Sequence, residues 1–231
     1  MKKVRLLTIS FNTPIERREL TAFRGAIAAK AGLENDLFHN HDNSTPNSTK
    51  RFHRYPKIQY KYHRGRLLLV CLNEGVEAMH HFFSKPTWTL LIHKDPRELA
   101  IHQLGVQERT VEVIDRDKEY ALKSWLALNP KNWAIYNTSN AIEKIKLLER
   151  ILASNIVVFA KGIDWKIDKR FEVSIISMPR ERNVTFKNQQ LLAFDLSFKI
   201  NMSLPNYIGI GNGVSIGNGM VIEKRPFKKR E

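Results

Sequence analysis

The sequence predicts an α+β protein built from two domains. Three observations carry that prediction. A strand-like alternation at Lys3–Phe11 runs into a helix with a marked start. Two strand-like runs then meet at a tight turn, Arg64-Gly65. Finally, an apolar stripe at helical spacing dominates the second half, with strand-like runs after it.

In chain order, Lys3–Phe11 alternates as a strand does. Thr13 reads as a helix cap, with Pro14 at the first helical position and Glu16 three residues after the cap, the pattern of a capping box. Leu20, Phe23 and Ile27 recur at helical spacing, and Gly32 ends the helix. Gly25 inside it costs about 1 kcal/mol relative to Ala, which points to a close approach of backbone or ligand. Residues 33–52 form a polar loop of a length that compact domains reserve for function or mobility. Lys57–Tyr62 and Arg66–Leu72 read as strands, Val76–Phe83 as a helix, and Thr87–Ile92 and Thr110–Ile114 as further strands. The order β-α-β-β-α-β is the ferredoxin-like pattern.

The second half begins near Lys118. Tyr120–Leu128 is ambiguous between helix and strand. A helix starts at Asn140, with Glu143 completing the cap, and carries Ile142, Ile145, Leu148, Leu152 and Ile156 as its stripe; Gly162 stops it. Strands are expected at Phe171–Met178, Phe194–Met202 and Met220–Lys224, the last preceded by a glycine-rich segment. This is a second, less regular α+β domain.

The composition is globular: 231 residues, 42% hydrophobic and 26% charged. The informative number is the net charge of +15, from 38 Lys+Arg against 23 Asp+Glu. Such an excess repels itself in the compact state and draws polyanions, with nucleic acid as the leading partner. No basic amphipathic helix with a strong apolar face suits a membrane surface, and no apolar run is long enough to span one. The single cysteine, Cys71, sits in the apolar run RLLLVCL and reads as a core residue. The basic N-terminal stretch lacks the features of a signal peptide, so a cytoplasmic location is expected.

Three segments hold residues suited to chemistry. Residues 50–66 contain seven Lys/Arg and no acid, with Phe52, Tyr55, Tyr60 and Tyr62 interleaved. Cations bind phosphates and aromatic faces stack on unpaired bases. Alternation places Ile58, Tyr60 and Tyr62 on one face, expected to be the core, and Lys57, Gln59, Lys61 and His63 on the other, a basic face open to RNA. The segment 204–221 holds Gly209, Gly211, Gly213, Gly217 and Gly219. Its spacing fits neither a dinucleotide fingerprint nor a Walker loop, which leaves anion contact or a packed hairpin. The third segment, LFHNHD at 37–42, places His39 and His41 two residues apart. As zinc ligands they lack partners at a recognised spacing. As an acid/base pair they suit RNA, which carries its own nucleophile, the 2′-hydroxyl. A base, an acid and cations then suffice, without metal. Solvated loop residues are the third reading, and spacing alone does not separate the three.

Two motifs resemble a known family. Gly209-Ile210-Gly211, then Gly217-Asn218-Gly219, is similar to the glycine-rich loop of the RAMP superfamily of CRISPR systems. RGAIA at 24–28, FHNHD at 38–42 and RYPKIQYK at 54–61 resemble the CRISPR repeat-processing endoribonuclease in its subtype I-B-like branch, as do 124–133 and 151–163. The resemblance implies two tandem ferredoxin-like (RRM-like) domains of the RAMP type with a C-terminal glycine-rich loop. The first, with the catalytic loop, would span 1–116 and the second 117–231. It implies metal-independent cleavage of precursor CRISPR RNA within each repeat, leaving 5′-hydroxyl and 2′,3′-cyclic phosphate ends, with no cofactor. His39 and His41 match the family's catalytic histidine pair, and Tyr55 is the nearest match to its supporting tyrosine. RNA contacts would come from Lys50, Arg51, Arg54, Lys57 and Lys61, and from Gly209, Gly211, Gly217 and Gly219. The alternative is a non-catalytic RAMP-type subunit that holds guide RNA in a CRISPR effector complex. CRISPR repeat RNA is the expected partner. Effector-complex subunits are further candidates, as is a homodimer formed through an exposed sheet edge or the Trp88 and Trp125 regions.

Overall fold

The structure, a computed structural model, describes residues 1–32, 35–38 and 54–224. The chain divides into two compact units. The first comprises Lys3–Arg109 with Ser215–Gly217; the second comprises Met1–Lys2, Thr110–Val214 and the chain from Asn218 onward.

The first unit opens with β1 (Lys2–Phe11), a short 3-10 turn (Arg17–Glu19) and α1 (Leu20–Ala31). β2 (Ile58–His63) and β3 (Arg66–Leu72) form an antiparallel hairpin. Its turn residues, Arg64 and Gly65, have φ of 50° and 77°, the left-handed pair that matches strand twist. α2 (Glu74–Phe83) follows, then a small antiparallel hairpin, β4 (Thr89–Ile92) and β5 (Asp95–Glu98). The long strand β6 (Ile101–Trp125) supplies its first part, up to Arg109, to this unit. The sheet order is β6-β1-β3-β2, with β1 antiparallel to β3 from Leu6↔Leu72 to Ser10↔Leu68. This is the expected ferredoxin-like unit, with the β4–β5 hairpin as an insert that the sequence reading did not separate. Leu7, Ile9, Phe11, Ile58, Tyr60, Leu67, Leu69 and Cys71 line one sheet face and pack with Phe23, Ile27, Met79 and Phe82 of the helices.

Three local expectations are corrected. The capping box is real but lies three residues later: Glu16 and Glu19 exchange side-chain and backbone bonds. Thr13 is buried instead, donating its hydroxyl to the Glu98 carbonyl and accepting from the Ala100 amide, which ties β1's end to the β5–β6 connection. Gly25 marks no close approach, because an added Cβ would meet nothing within 4 Å. The tight glycine is Gly75, where a Cβ would lie 2.6 Å from the Lys57 carbonyl oxygen, so α2 starts hard against the entry to β2.

The second unit takes the rest of β6, then α3 (Pro130–Thr138) and α4 (Ala141–Gly162). β7 (Val173–Ile175), β8 (Arg180–Phe186), β9 (Gln189–Ser203) and β10 (Met220–Glu223) complete it. The order is β10-β6-β9-β7, with β8 also on β9. That is again the ferredoxin order, with the glycine-rich segment where the second helix would stand. Of Tyr120–Leu128, the part up to Trp125 resolves as the end of β6, and Leu126 forms an isolated bridge with Asn212. α3, unforeseen, has the Asn129 side chain as its cap and Pro130 at its start. α4 starts on the expected Asn140–Glu143 box, but its buried face is Leu147, Leu148, Ile151, Leu152, Ile156 and Phe159, and Ile142 is exposed. Trp125 is fully buried and its Nε1 donates to the Asn155 side chain at 3.0 Å, so it offers no dimer surface. Among the described residues, no helix is long and apolar enough to cross a membrane.

Candidate functional site

His39 and His41, with Lys50 and Arg51, lie outside the described residues. What is described are the points where their loop leaves and rejoins the first unit. Phe38, the residue before His39, is buried at 2% exposure and packs near Phe82, ring centroids 6.1 Å apart. Its carbonyl oxygen receives two donors, the Tyr60 hydroxyl at 3.4 Å and Arg24 Nε at 3.5 Å. Burial raises the Tyr60 phenol well above its ordinary value, so it stays a neutral donor. Burial also lowers Arg24 from its ordinary value, with Tyr60 acting in the opposite sense. On the returning side, Arg54 pairs with Asp36 at 2.8 Å, which closes the base of the loop. The next residue, Tyr55, is buried.

Tyr60 holds a second segment as well. Its amide donates to the Ser215 carbonyl at 2.9 Å, and it forms a parallel bridge with Ile216. Ser215–Gly217, the tip of the glycine-rich segment, thus lies along the outer edge of β2. Gly217, at φ 91°, leaves room for Leu20, which an added Cβ would approach to 2.8 Å. One residue therefore bonds the stem of the histidine loop through its side chain and the glycine-rich tip through its main chain. Alternation foretold that Tyr60 is core; nothing in the spacing revealed these partners. Arg24 stood in the sequence only as the first residue of RGAIA, with no role given to it, and Asp36 and Ser215 were not singled out.

The expectation that Lys57 and Lys61 lie on a solvent-facing basic face is corrected. Both faces of β2 are covered at these positions. Lys57 is buried and pairs with Glu74 at 2.9 Å. Burial works to raise the Glu74 carboxyl, but a backbone hydrogen bond and the Lys57 ammonium, with Arg54 nearby, hold it below its ordinary value. Lys61 is wholly buried, and burial lowers its ammonium to about 7. Gln59 is equally buried.

The remaining glycines serve the backbone of the second unit. Gly209 is buried and bridges Met220, while the Ile210 amide donates to the Gly219 carbonyl at 2.8 Å. Gly219, at φ 63°, sits against Ile210, whose carbonyl oxygen would lie 1.8 Å from an added Cβ. Gly211, at φ 92°, lies under the Trp125 indole, 2.6 Å from a Cβ at that position. Nearby, β6 bulges between Leu122 and Trp125. Asp195 accepts from the Ser124 amide at 2.7 Å and from Arg182 at 3.4 Å, and the Ser124 carbonyl receives the Gly219 amide at 3.0 Å.

Comparison with known proteins places this arrangement. A solved structure titled "Crystal structure of Cas6b" matches with a TM-score of 0.87 and 27% identity, over 96% of this chain and all of that one. A second, titled as the CRISPR RNA processing endoribonuclease Cas6b, matches with a TM-score of 0.72 and 27% identity over the same shares. A type IV Cas6 crRNA endonuclease, Csf5, shares the fold at a TM-score of 0.59 and 14% identity, over 97% of this chain and all of that one. Uncharacterized protein MJ0978 of Methanocaldococcus jannaschii is 30% identical over 125 residues, 54% of this chain and 80% of that protein. The Cas6b N-terminal domain model matches residues 2–110 and the Cas6b C-terminal domain model residues 112–224, and the chain belongs to the Cas6b family.

Proposed function

We propose that the chain is an endoribonuclease that cuts precursor CRISPR RNA within its repeats, without metal, to make mature guide RNAs. The observation that carries the reading is the fixed carbonyl of Phe38, held by Tyr60 and Arg24 one residue before His39. A catalytic group on a loop needs a rigid point of departure, because a small misplacement of a reacting group is expensive in rate.

In the proposed reaction one histidine of the His39/His41 pair removes the proton from the 2′-hydroxyl. That oxygen attacks the adjacent phosphorus, the P–O5′ bond breaks, and the other histidine returns a proton to the leaving 5′-oxygen. The products are a 2′,3′-cyclic phosphate and a 5′-hydroxyl. Lys50, Arg51 and Arg54 stabilise the charge that grows on the phosphorane. Tyr55 supports the pair as a further acid/base group. Gly209, Gly211, Gly217 and Gly219 shape the segment whose tip meets β2, and RNA contact there comes through its backbone. Lys57, buried and paired with Glu74, and Lys61, wholly buried, are not direct ligands of the RNA.

The test is incubation of the purified chain with its own repeat RNA in EDTA, beside a substrate with a 2′-deoxy group at the scissile nucleotide. Cutting of the first and survival of the second is the expected result. Tight binding with no cutting of either, with metal restored, would replace the reading by a RAMP-type subunit that holds guide RNA.

A further inference from the structure

A cavity of about 690 Å³ opens in the second unit, where α4 leads into β7. That is the size of a pocket for one small ligand. Val157 and Ala160 of α4 supply one wall, and Trp165, Ile167 and Phe171 of the following segment supply the rest of the apolar lining. Trp165 is buried, whereas Ile167 and Phe171 are half-buried and keep part of their surface open to a ligand. Hydrogen bonds tie both ends of this segment to the unit. At the end of α4 the Trp165 amide donates to the Ala160 carbonyl at 2.9 Å and the Asp164 amide to the Lys161 carbonyl at 3.1 Å. This closure sets Asp164 at φ 55°, so a carboxylate stands where Gly usually follows a helix end. At the entry to β7, the Asn201 side chain of β9 accepts from the Glu172 amide at 2.8 Å and donates to the Arg170 carbonyl at 3.5 Å.

The charge on the lining is mostly of one sign. Lys161, Lys166, Lys169 and Arg170 stand on it against Asp164 alone, and Asp168 is exposed away from it. Arg170 pairs with Glu172 at 3.1 Å. Among the described residues the three lysines, all exposed, take part in no ion pair. An apolar recess bordered by such ammonium groups suits a ligand with a flat apolar body and more than one negative charge. We propose that the cavity binds a nucleotide. Its base lies against Phe171, its phosphates among Lys161, Lys166 and Lys169, and a ribose hydroxyl or base amine donates to Asp164. Aromatic faces stack on any base, and cations hold phosphates. A fatty acid brings a single charge and no donor for Asp164, and an inorganic anion makes no use of the apolar wall. The same chemistry serves a free nucleotide and one unit of an RNA strand. In element order the segment stands where the histidine loop stands in the first unit, between a main helix and the strand after it. The cavity belongs wholly to the second unit and uses none of the residues of the proposed cleavage.

Isothermal titration calorimetry of the full chain in EDTA, with ATP, hexaadenylate and tripolyphosphate as separate ligands, tests the proposal without any cleavage step. ATP is expected to bind about tenfold more tightly than tripolyphosphate, the difference being the stacked base. Phe171→Leu, which keeps an apolar side chain, is expected to remove most of that difference. Lys166→Glu with Lys169→Glu, at exposed positions that leave the fold intact, is expected to weaken ATP about tenfold or more. ATP binding that hexaadenylate does not displace assigns the site to a free nucleotide. Hexaadenylate that displaces ATP, or binds alone with the same loss in both variants, assigns it to an RNA strand. Binding of neither ligand overturns the proposal. So does tripolyphosphate binding as tightly as ATP, and so does nucleotide binding that Phe171→Leu or the lysine pair leaves unchanged.

Discussion

The Tyr60 hydroxyl donates to the carbonyl of Phe38, so a strand residue of the core fixes the last described residue before His39. The Tyr60 amide meanwhile holds Ser215. Removing only the hydroxyl, in Tyr60→Phe, is expected to cost about 1 kcal/mol of stability. It leaves the amide bond and the ring packing on Phe23 intact. Cleavage is expected to fall about tenfold through a loosened loop stem, with repeat-RNA affinity little changed. Single-turnover rates beside a filter-binding titration separate the two; full-speed cleavage counts against the anchoring role.

The histidine pair bears the proposed chemistry directly. His39→Ala with His41→Ala is expected to lower the single-turnover rate by about 10³-fold or more, with RNA affinity kept. An unchanged rate in the double variant would remove the pair from the mechanism.

Lys61 makes the fold sensitive to pH. Its ammonium titrates at about 7 in the folded chain against an ordinary 10.5. Between those values the unfolded chain holds a proton that the folded chain has released, so stability rises with pH across that window and is lowest below it. Thermal melts are expected to shift upward by a few degrees between about pH 6.5 and pH 9, and Lys61→Met is expected to flatten that rise. A rise that persists in Lys61→Met would belong to another group.

Two glycine-to-alanine changes are expected to move stability in opposite directions. At Gly25, inside α1 with open space around it, alanine is expected to stabilise by about 0.5–1 kcal/mol. At Gly219 the φ of 63° and the Ile210 carbonyl 1.8 Å from the new Cβ leave no room. Alanine there is expected to cost about 2 kcal/mol or more. Denaturant unfolding of the two variants measures both; a well-tolerated Gly219→Ala would contradict the close packing of Gly219 on Ile210.

Much of the fold was legible because its signals are local. The Arg64-Gly65 turn, the Asn140–Glu143 cap and the alternation of β2 each depend on neighbours within a few residues. The capping box was displaced from Thr13 to Glu16 because the Thr13 hydroxyl found tertiary partners at Glu98 and Ala100. The buried state of Lys57 and Lys61 was hidden for a similar reason. Alternation tells which side chains share a face, but not whether that face meets water.

The sequence by itself determined the ferredoxin-like order of the first half, the Asn140 helix, the basic charge and the pairing of His39 with His41 in one polar loop. Through its motifs it also pointed to the CRISPR repeat-processing endoribonucleases of the RAMP type, and the matched domain models assign the chain to the Cas6b family. Only the tertiary structure decided that Tyr60 joins Phe38 to Ser215, residues 22 and 155 positions away along the chain. It also decided that the first part of β6 closes the first unit's sheet beside β1. The physical reason is one of range. Helix caps, turns and periodicity are settled by bonds within a turn or two of chain. Hydrogen bonds between distant segments, and the burial of a lysine, exist only once the whole unit has closed around them.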